Sequence, residues 1–222
     1  MKGPVFLILL LIIMSTSCEN KRVNLPTLDI TGIQDTIYDN SKIWMFFKVE
    51  ESDTIAELNK NNSVANTHWI FNIDKRLSLK HVIPGIQQLQ AKKAKPSMHD
   101  NAKITHSYYS YVDTLAQKLS LVLFDSVKYI FDDRKQYHQF SKDSLFDHLL
   151  INFNKKGIFV DEEEVEMKQL EKQLISSLDN NNLKIHLNFD KDLGFQHYIH
   201  LKALLSHVQR DSIIIAKEEF IN

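Results

Sequence analysis

Segments rich in aromatic and β-branched residues alternate along this chain with segments whose apolar residues recur at helical spacing. The first kind predicts strands, over residues 42–52, 67–74, 103–112, 183–190 and 212–220. The second kind predicts helices, over residues 53–62, 77–93, 162–178 and 195–208. Residues 149–164 contain two strand-like runs around a turn at 155–157, which predicts a β-hairpin.

The second half of the chain follows the order β-β-α-β-α-β, which predicts a two-layer α+β sandwich with two helices on one face of a small sheet. The first half is predicted to be a second copy of this module. The expected domains are therefore a first module at 41–112, a connecting segment at 113–146 and a second module at 147–222. Within the connecting segment, 118–133 favours a further hairpin and 141–149 a short helix.

A twelve-residue phrase occurs twice in the chain. It is written NIDKRLSLKHVI at 72–83 and NFDKDLGFQHYI at 188–199, 116 residues further on. Six of the twelve aligned positions are identical: Asn72/Asn188, Asp74/Asp190, Lys75/Lys191, Leu77/Leu193, His81/His197 and Ile83/Ile199. Each copy lies at a predicted strand-to-helix junction, and this shared context predicts an internal duplication.

The first eighteen residues predict export. One Lys, an apolar run from Val5 to Met14 and then small residues form the pattern of a cleaved signal peptide over 1–17. The ten apolar residues are too few for a membrane-spanning helix, which needs about 20. The only cysteine, Cys18, ends the sequence STSC, which resembles a lipobox with Ser15 where Leu is preferred.

An exported chain with a single thiol forms no intramolecular disulfide, so the count favours lipid modification of Cys18. The alternatives are plain secretion and an uncleaved anchor. Residues 18–40 are then expected to be the lipid attachment site and a polar tether.

Composition limits the classes of function. Hydrophobic residues make up 43% and charged residues 25% of 222, with a formal net charge of −1, which predicts a folded protein that has no general attraction to nucleic acid. The chain has no G-x-S-x-G elbow, and its five glycines form no phosphate-binding loop. We therefore expect neither an enzyme nor a cofactor.

Two repeated Asp-Lys pairs are candidate partner-binding residues: Asp74 with Lys75, and Asp190 with Lys191. The alternative is a local role, in which each Asp caps the turn into the following helix and each Lys is solvated.

Three histidines of the last predicted helix are a candidate metal site. His197, His200 and His207 fall within an arc of roughly 80° at 3.6 residues per turn. The alternative is a solvent-facing helix side, because no cysteine or acid completes the set in sequence.

The stretch from 149 to 219 resembles the periplasmic domain of the ExbD/TolR family of biopolymer-transport proteins. The resemblance rests on a hairpin, a Leu-rich helix, a strand ending in Asp190 and Lys191, a helix led by Phe195 and a final Ile-rich strand. Two features depart from that family. The apolar run contains no acid, whereas the family carries a membrane-buried Asp that takes part in proton use. Gln196 stands where the family usually has Gly, and Gly194 precedes the aromatic instead.

The resemblance implies the family's periplasmic module without its motor function. Since the family's periplasmic domains form dimers, two copies in one chain are expected to pair as an intrachain pseudo-dimer. We predict a lipoprotein of the bacterial cell envelope that faces the periplasm and binds envelope proteins, such as ExbB-like or TonB-like components of a transport complex. Pairing through an edge strand is one expected mode, with 212–220 as a candidate edge. The alternative function is binding of a small ligand or metal at the histidine face.

Overall fold

The computed structural model describes residues 21–95, 104–131, 146–176, 182–209 and 211–222. The predicted signal peptide at 1–17 and Cys18 lie outside these residues, as does 132–145 of the connecting segment. The described residues form twelve strands and three α-helices in two mixed sheets, so the predicted α+β class is confirmed.

The first sheet is formed by residues before 124. Its strands are β1 (Thr27–Leu28), β2 (Asn40–Glu50), β3 (Asp53–Leu58), β4 (His68–Ile73), β5 (Ser107–Asp113) and β6 (Lys118–Leu123). A 3₁₀ turn, Lys60–Asn62, follows β3, and helix α1 (Leu79–Lys93) follows β4. The order is β3-β2-β4-β5; β5 also pairs with β1 at its last two residues and with β6.

The second sheet is formed by residues from 128 onward. Its strands are β7 (Lys128–Phe131), β8 (Phe146–Asn154), β9 (Gly157–Val160), β10 (Glu163–Val165), β11 (Asn182–Phe189) and β12 (Ile213–Ile221). Helix α2 (Met167–Ser176) precedes β11, and α3 (Phe195–Val208) joins β11 to β12. The order is β10-β9-β8-β11-β12-β7.

The two sheets share one pattern of pairing. In each, an antiparallel hairpin (β2-β3 or β8-β9) is followed by two parallel strands (β4 and β5, or β11 and β12). A preceding short strand, β1 or β7, joins the last of these in parallel. The register also agrees, because Met45 is paired with Ile73 where Phe153 is paired with Phe189.

The repeated phrase adopts the same local structure in both halves. The backbone N–H of Asp74 donates to Met45, and that of Asp190 donates to Phe153, each at 3.0 Å. The two junctions also contact each other reciprocally: Leu79 N donates to Leu193 O at 3.0 Å and Phe195 N donates to Leu77 O at 2.7 Å. Since Leu79 aligns with Phe195 and Leu77 with Leu193, these two bonds are related by an approximate two-fold axis.

The two halves share one apolar core. A single cluster of buried side chains contains residues of both sheets and of all three helices. At its centre the ring of Tyr109, on β5, makes edge contacts with Phe195 and Tyr198 of α3, at centroid separations of 5.4 and 5.9 Å. The modules therefore form one folded body.

Two predicted helices are wrong in whole or in part. Residues 53–58 form strand β3, and only 60–62 are helical. The helix predicted over 162–178 begins at Met167, because Glu163–Val165 form β10. In both cases a two-residue turn precedes the strand, with positive φ at Glu51 (48°) and Ser52 (86°), and at Asp161 (47°) and Glu162 (76°). Such backbone geometry closes hairpins, and it is normally signalled by Asn or Gly.

The predictions for the connecting segment also need correction. Strands do form within 118–133, but they make no hairpin, since β6 belongs to the first sheet and β7 to the second. Residues 146–149 of the predicted helix 141–149 begin β8, and its other residues lie outside the described ones. The predicted edge at 212–220 is an inner strand, with β11 on one side and β7 beside Glu218–Ile221.

The predicted tether is shorter than 18–40. The backbone of Asn24 is already bonded to the fold, and β1 lies in the first sheet. Gln196 binds both backbone groups of Thr27, at 2.9 and 3.0 Å, which links this segment to the second half.

Candidate functional site

The outer face of the second sheet, opposite the shared core, is a shallow groove. Side chains alternate along β8 and β11, so Leu149, Ile151 and Phe153 turn toward the core while the residues between them line the other face. The groove has a volume of about 1070 Å³. Its floor and walls include His148, Leu150, Asn152, Phe159, Asn188 and Asn222, and we call it the open groove.

Three asparagine side chains form a ladder along the floor of the open groove. The Asn188 amide N–H donates to Asn152 Oδ1 at 2.6 Å, and the Asn222 amide N–H donates to Asn188 Oδ1. Their strands are neighbours, since Asn152 is directly paired with Asn188 and β12 follows β11. Amide groups carry both donors and acceptors and can therefore bond a peptide backbone.

Two stacked histidines lie on the same face, near the start of β8. His148 Nδ1 and His186 Nε2 are 2.9 Å apart, and the ring centroids are 5.1 Å apart. Burial, together with the neighbouring His148 and Lys184, lowers the pKa of His186 from 6.5 to about 4. His186 is therefore neutral at neutral pH.

The rim of the open groove is charged. Lys156, Asp161, Asp190 and Lys191 lie around the apolar side chains of Leu150 and Phe159. Apolar side chains surrounded by a polar and charged rim are a common composition for a protein-binding surface.

Part of the equivalent face of the first sheet is covered by the chain itself. Ile33 pairs with Leu121 at the edge of β6, and β2 begins beside β4 at Asn40. Between them Ile37 packs on Ile70, Tyr108 and Leu121, which are all buried. On this face of the first sheet, Ile37 therefore covers parts of β4, β5 and β6, whereas Lys42 of β2, at the position equivalent to Leu150, stays exposed.

The repeated Asp-Lys pairs take the predicted local role at both junctions. Asp74 Oδ1 accepts the backbone N–H of Arg76 at 3.1 Å, and Asp190 Oδ1 accepts that of Asp192 at 2.8 Å. Lys75 and Lys191 are exposed. Only Asp190 and Lys191 line the open groove.

Asp74 is fully buried and carries additional bonds. The Arg76 guanidinium binds both carboxylate oxygens at 2.8 Å, and the backbone N–H of Asn24 adds a third donor at 3.0 Å. Burial favours the neutral form of Asp74, but these bonds outweigh it and lower the pKa of the carboxyl below its usual value.

The predicted histidine site is not assembled. Within the described ranges, no three His, Cys, Asp or Glu side chains are close enough to hold a metal ion together. His207 instead binds the carbonyl of Thr31 at 2.6 Å, while burial lowers the pKa of His197 and of His200. The alternative of a metal held by His197, His200 and His207 is therefore wrong.

Comparisons with protein families, curated proteins and solved structures find no match for this chain. Among the described residues, none of the helices has both the length and the apolar character needed to cross a membrane.

Sequence reasoning missed most residues of the open groove. The signal that could have found them is polar alternation within predicted strands, at His148, Asn152 and Asn154 with Leu150 as the one apolar exception, and again at His186 and Asn188. Polar residues every second position on strands that are otherwise apolar indicate a sheet face that the core does not cover.

Proposed function

We propose that this protein is a lipid-anchored docking protein of the bacterial envelope, and that the open groove of its second module binds an extended segment of a partner protein. The observation that carries the proposal is the difference between the two sheets. On the first sheet Ile37 covers Ile70, Tyr108 and Leu121 on this face, whereas on the second sheet the described residues leave Leu150, Asn152 and Asn188 accessible in the open groove.

The chemistry of the open groove defines the partner. A bound segment would place alternate apolar side chains on Leu150 and Phe159, while its backbone amides would meet the ladder of Asn152 and Asn188. Extended segments that lie on sheets gain affinity from main-chain bonds and specificity from the pockets for alternate side chains.

We also propose that the chain arose by tandem duplication and now forms an intrachain pseudo-dimer. The shared pairing pattern supports this, as do the reciprocal bonds of Leu79 with Leu193 and of Phe195 with Leu77. Joining two modules in one chain raises their effective concentration, so one face of one module can specialise while the other module stabilises the pair.

The resemblance to the ExbD/TolR family suggests where such a docking protein works. A lipid on Cys18 would hold it at a periplasmic membrane surface, and ExbB-like or TonB-like components are the proposed partners. Without a membrane-buried acid in the apolar run, its contribution is docking rather than proton use.

Affinity capture from envelope membranes tests the docking proposal. Leu150→Arg places a charge in the open groove, and Leu119→Arg places the same charge on an exposed leucine of the first sheet. We expect the Leu150→Arg variant to capture at least tenfold less of a specific protein than the unsubstituted chain does. The Leu119→Arg variant should capture the same amount as the unsubstituted chain. Binding of that purified protein to both variants then gives the affinities; equal capture by the two would refute the proposal.

A further inference from the structure

The folded body begins very close to the proposed lipid. Asn24 is fixed by two bonds: its N–H donates to Asp74 Oδ2 at 3.0 Å, and its carbonyl accepts the N–H of Lys75 at 2.8 Å. Six residues separate it from Cys18, and six residues span at most about 20 Å. If Cys18 is lipidated, the surface around Lys75 must therefore lie near the bilayer.

That surface is rich in exposed cations. The two repeated junctions meet there, because Lys80 N donates to Lys191 O at 2.8 Å. Lys80 and Lys155 both bind the carboxylate of Asp192, at 2.8 and 3.2 Å. We define the basic surface by its exposed cationic residues, which are Lys75, Arg76, Lys80, Lys155, Lys156 and Lys191.

The acidic side chains of this region do not cancel its charge. Asp74 is buried beneath Arg76, and Asp192 lies between two lysines, which lower its pKa to about 2. With Asp190 and with Glu164, which lies beside Gly157, four acidic side chains face six cationic ones. The chain as a whole has a net charge of −1, so this positive surface is a local feature.

We propose that the basic surface binds the anionic headgroups of phospholipids and orients the protein on the membrane. The proposal deepens the proposed function, since it rests on lipid attachment at Cys18 for its position. A lipid chain and a basic surface are the two signals that together give stable membrane association.

This orientation sets the direction of the open groove. Lys156 and Lys191 lie at one end of the groove and also belong to the basic surface, while His148 lies near the opposite end of β8. With the basic surface on the headgroups, β8 runs toward the membrane and its first residues point away. The open groove then stands upright on the bilayer, accessible to a partner that approaches along the membrane.

Vesicle binding by residues 19–222, which contain every described strand and helix, tests the proposal without a lipid anchor. The vesicles are phosphatidylcholine, either pure or with 30% phosphatidylglycerol. The test variant is Lys75→Gln/Lys80→Gln/Lys191→Gln. The control is Lys42→Gln/Lys118→Gln/Lys128→Gln, three exposed lysines elsewhere. Circular dichroism checks that both variants are folded.

We expect the unmodified sequence to prefer the anionic vesicles. Each lysine near an anionic surface contributes about fivefold in partitioning, so the test variant should lose about a hundredfold and the control only a few-fold. Equal binding to both vesicle types would overturn the proposal, as would an equal loss in the control. Binding to polyglutamate as tight as to anionic vesicles would also overturn it, in favour of an acidic protein partner.

The mass of the mature N-terminus, measured on the full chain from membranes, separates this result from the proposed function. An unmodified Cys18 would refute lipid attachment, whereas the vesicle experiment reports on the basic surface alone.

Discussion

A buried chain of polar side chains joins the two modules, and removing one charge from it should destabilise the whole body. Lys202 of α3 forms an ion pair with Glu219 of β12, and both are almost fully buried. Tyr198 donates its hydroxyl to Glu219 at 2.8 Å, and the hydroxyls of Tyr129 and Tyr109 continue the chain into the first sheet. Burial raises the pKa of Tyr109 and Tyr198 well above 10, so both hydroxyls keep their protons.

The size of the expected loss in stability follows from the burial of this ion pair. In Lys202→Met the Glu219 carboxylate stays completely buried and keeps only the Tyr198 bond. Breaking a buried ion pair in this way costs about 3–5 kcal/mol, a large part of the 5–15 kcal/mol that stabilises a typical domain. Replacing both charges, in Lys202→Met/Glu219→Gln, leaves no buried charge and should cost about 1 kcal/mol.

Urea unfolding of the two single variants and the double variant measures this coupling. With an m-value of about 2.5 kcal/mol/M, each single substitution should lower the midpoint by about 1.5 M, and the double variant by less than 0.5 M. The coupling free energy should exceed about 2 kcal/mol. If each single variant loses less than about 1 kcal/mol of unfolding free energy, and the double variant loses the sum of the two, the pair is not coupled and the prediction is refuted.

Three further predictions concern the junctions, the groove and the segment that covers the first sheet. Asp74→Asn should cost about 2 kcal/mol in urea unfolding, and Asp190→Asn, at the equivalent position with fewer bonds, under about 1; the reverse order would contradict the contacts seen. Because the folded pKa of His186 is about 4 and its unfolded pKa near 6.5, the unfolded state binds its proton first, and stability should fall as pH drops from 6.5 to 4. His186→Gln should flatten the dependence of the melting temperature on pH. An unchanged dependence would show that other titrating groups cause it. Gly32→Ala should destabilise by about 1–2 kcal/mol, since its Cβ would lie 2.8 Å from a backbone oxygen, whereas the Cβ of Gly85→Ala inside α1 would meet only side-chain methyls, of Met45 and Leu58, and this change should be neutral or stabilising.

The elements that the sequence predicts well are those whose signals are local. Helix 195–208 has the predicted bounds because an uninterrupted apolar helix follows Gly194. The hairpin at β8 and β9 was predictable from the Lys155–Gly157 turn, where Gly157 has φ 154°. The strands on either side of α1 and of α3 pair in parallel, as a helical crossover between neighbouring strands requires.

The elements that it predicts poorly depend on distant partners. Residues 53–58 carry Ile55 and Leu58 at helical spacing, but pairing with β2 outweighs this weak preference. The turn that brings them together uses Glu51 and Ser52 at positive φ, residues that give no hairpin signal. Likewise, β7 joins the second sheet although it follows β6 of the first within four residues.

Only part of the candidate site is predictable from the sequence, for the same reason. Asp190 and Lys191 were found through the repeat, yet the repeat alone gave Asp74 and Lys75 equal weight. What separates the two pairs is the burial of Asp74 beneath Arg76 and the backbone of Asn24, which reaches Asp74 across 50 residues of sequence. No local pattern reports such a contact.

Docking in the open groove is tested most directly by photo-crosslinking in living cells. A photoreactive amino acid replaces Leu150 in the open groove or, as the control, Lys42, which is exposed at the equivalent position of the first sheet. Docking in the groove predicts a discrete crosslinked protein from position 150, which Asn152→Arg abolishes, and none from position 42. Adducts of equal yield from both positions, or from neither, would contradict a docking role for the second sheet.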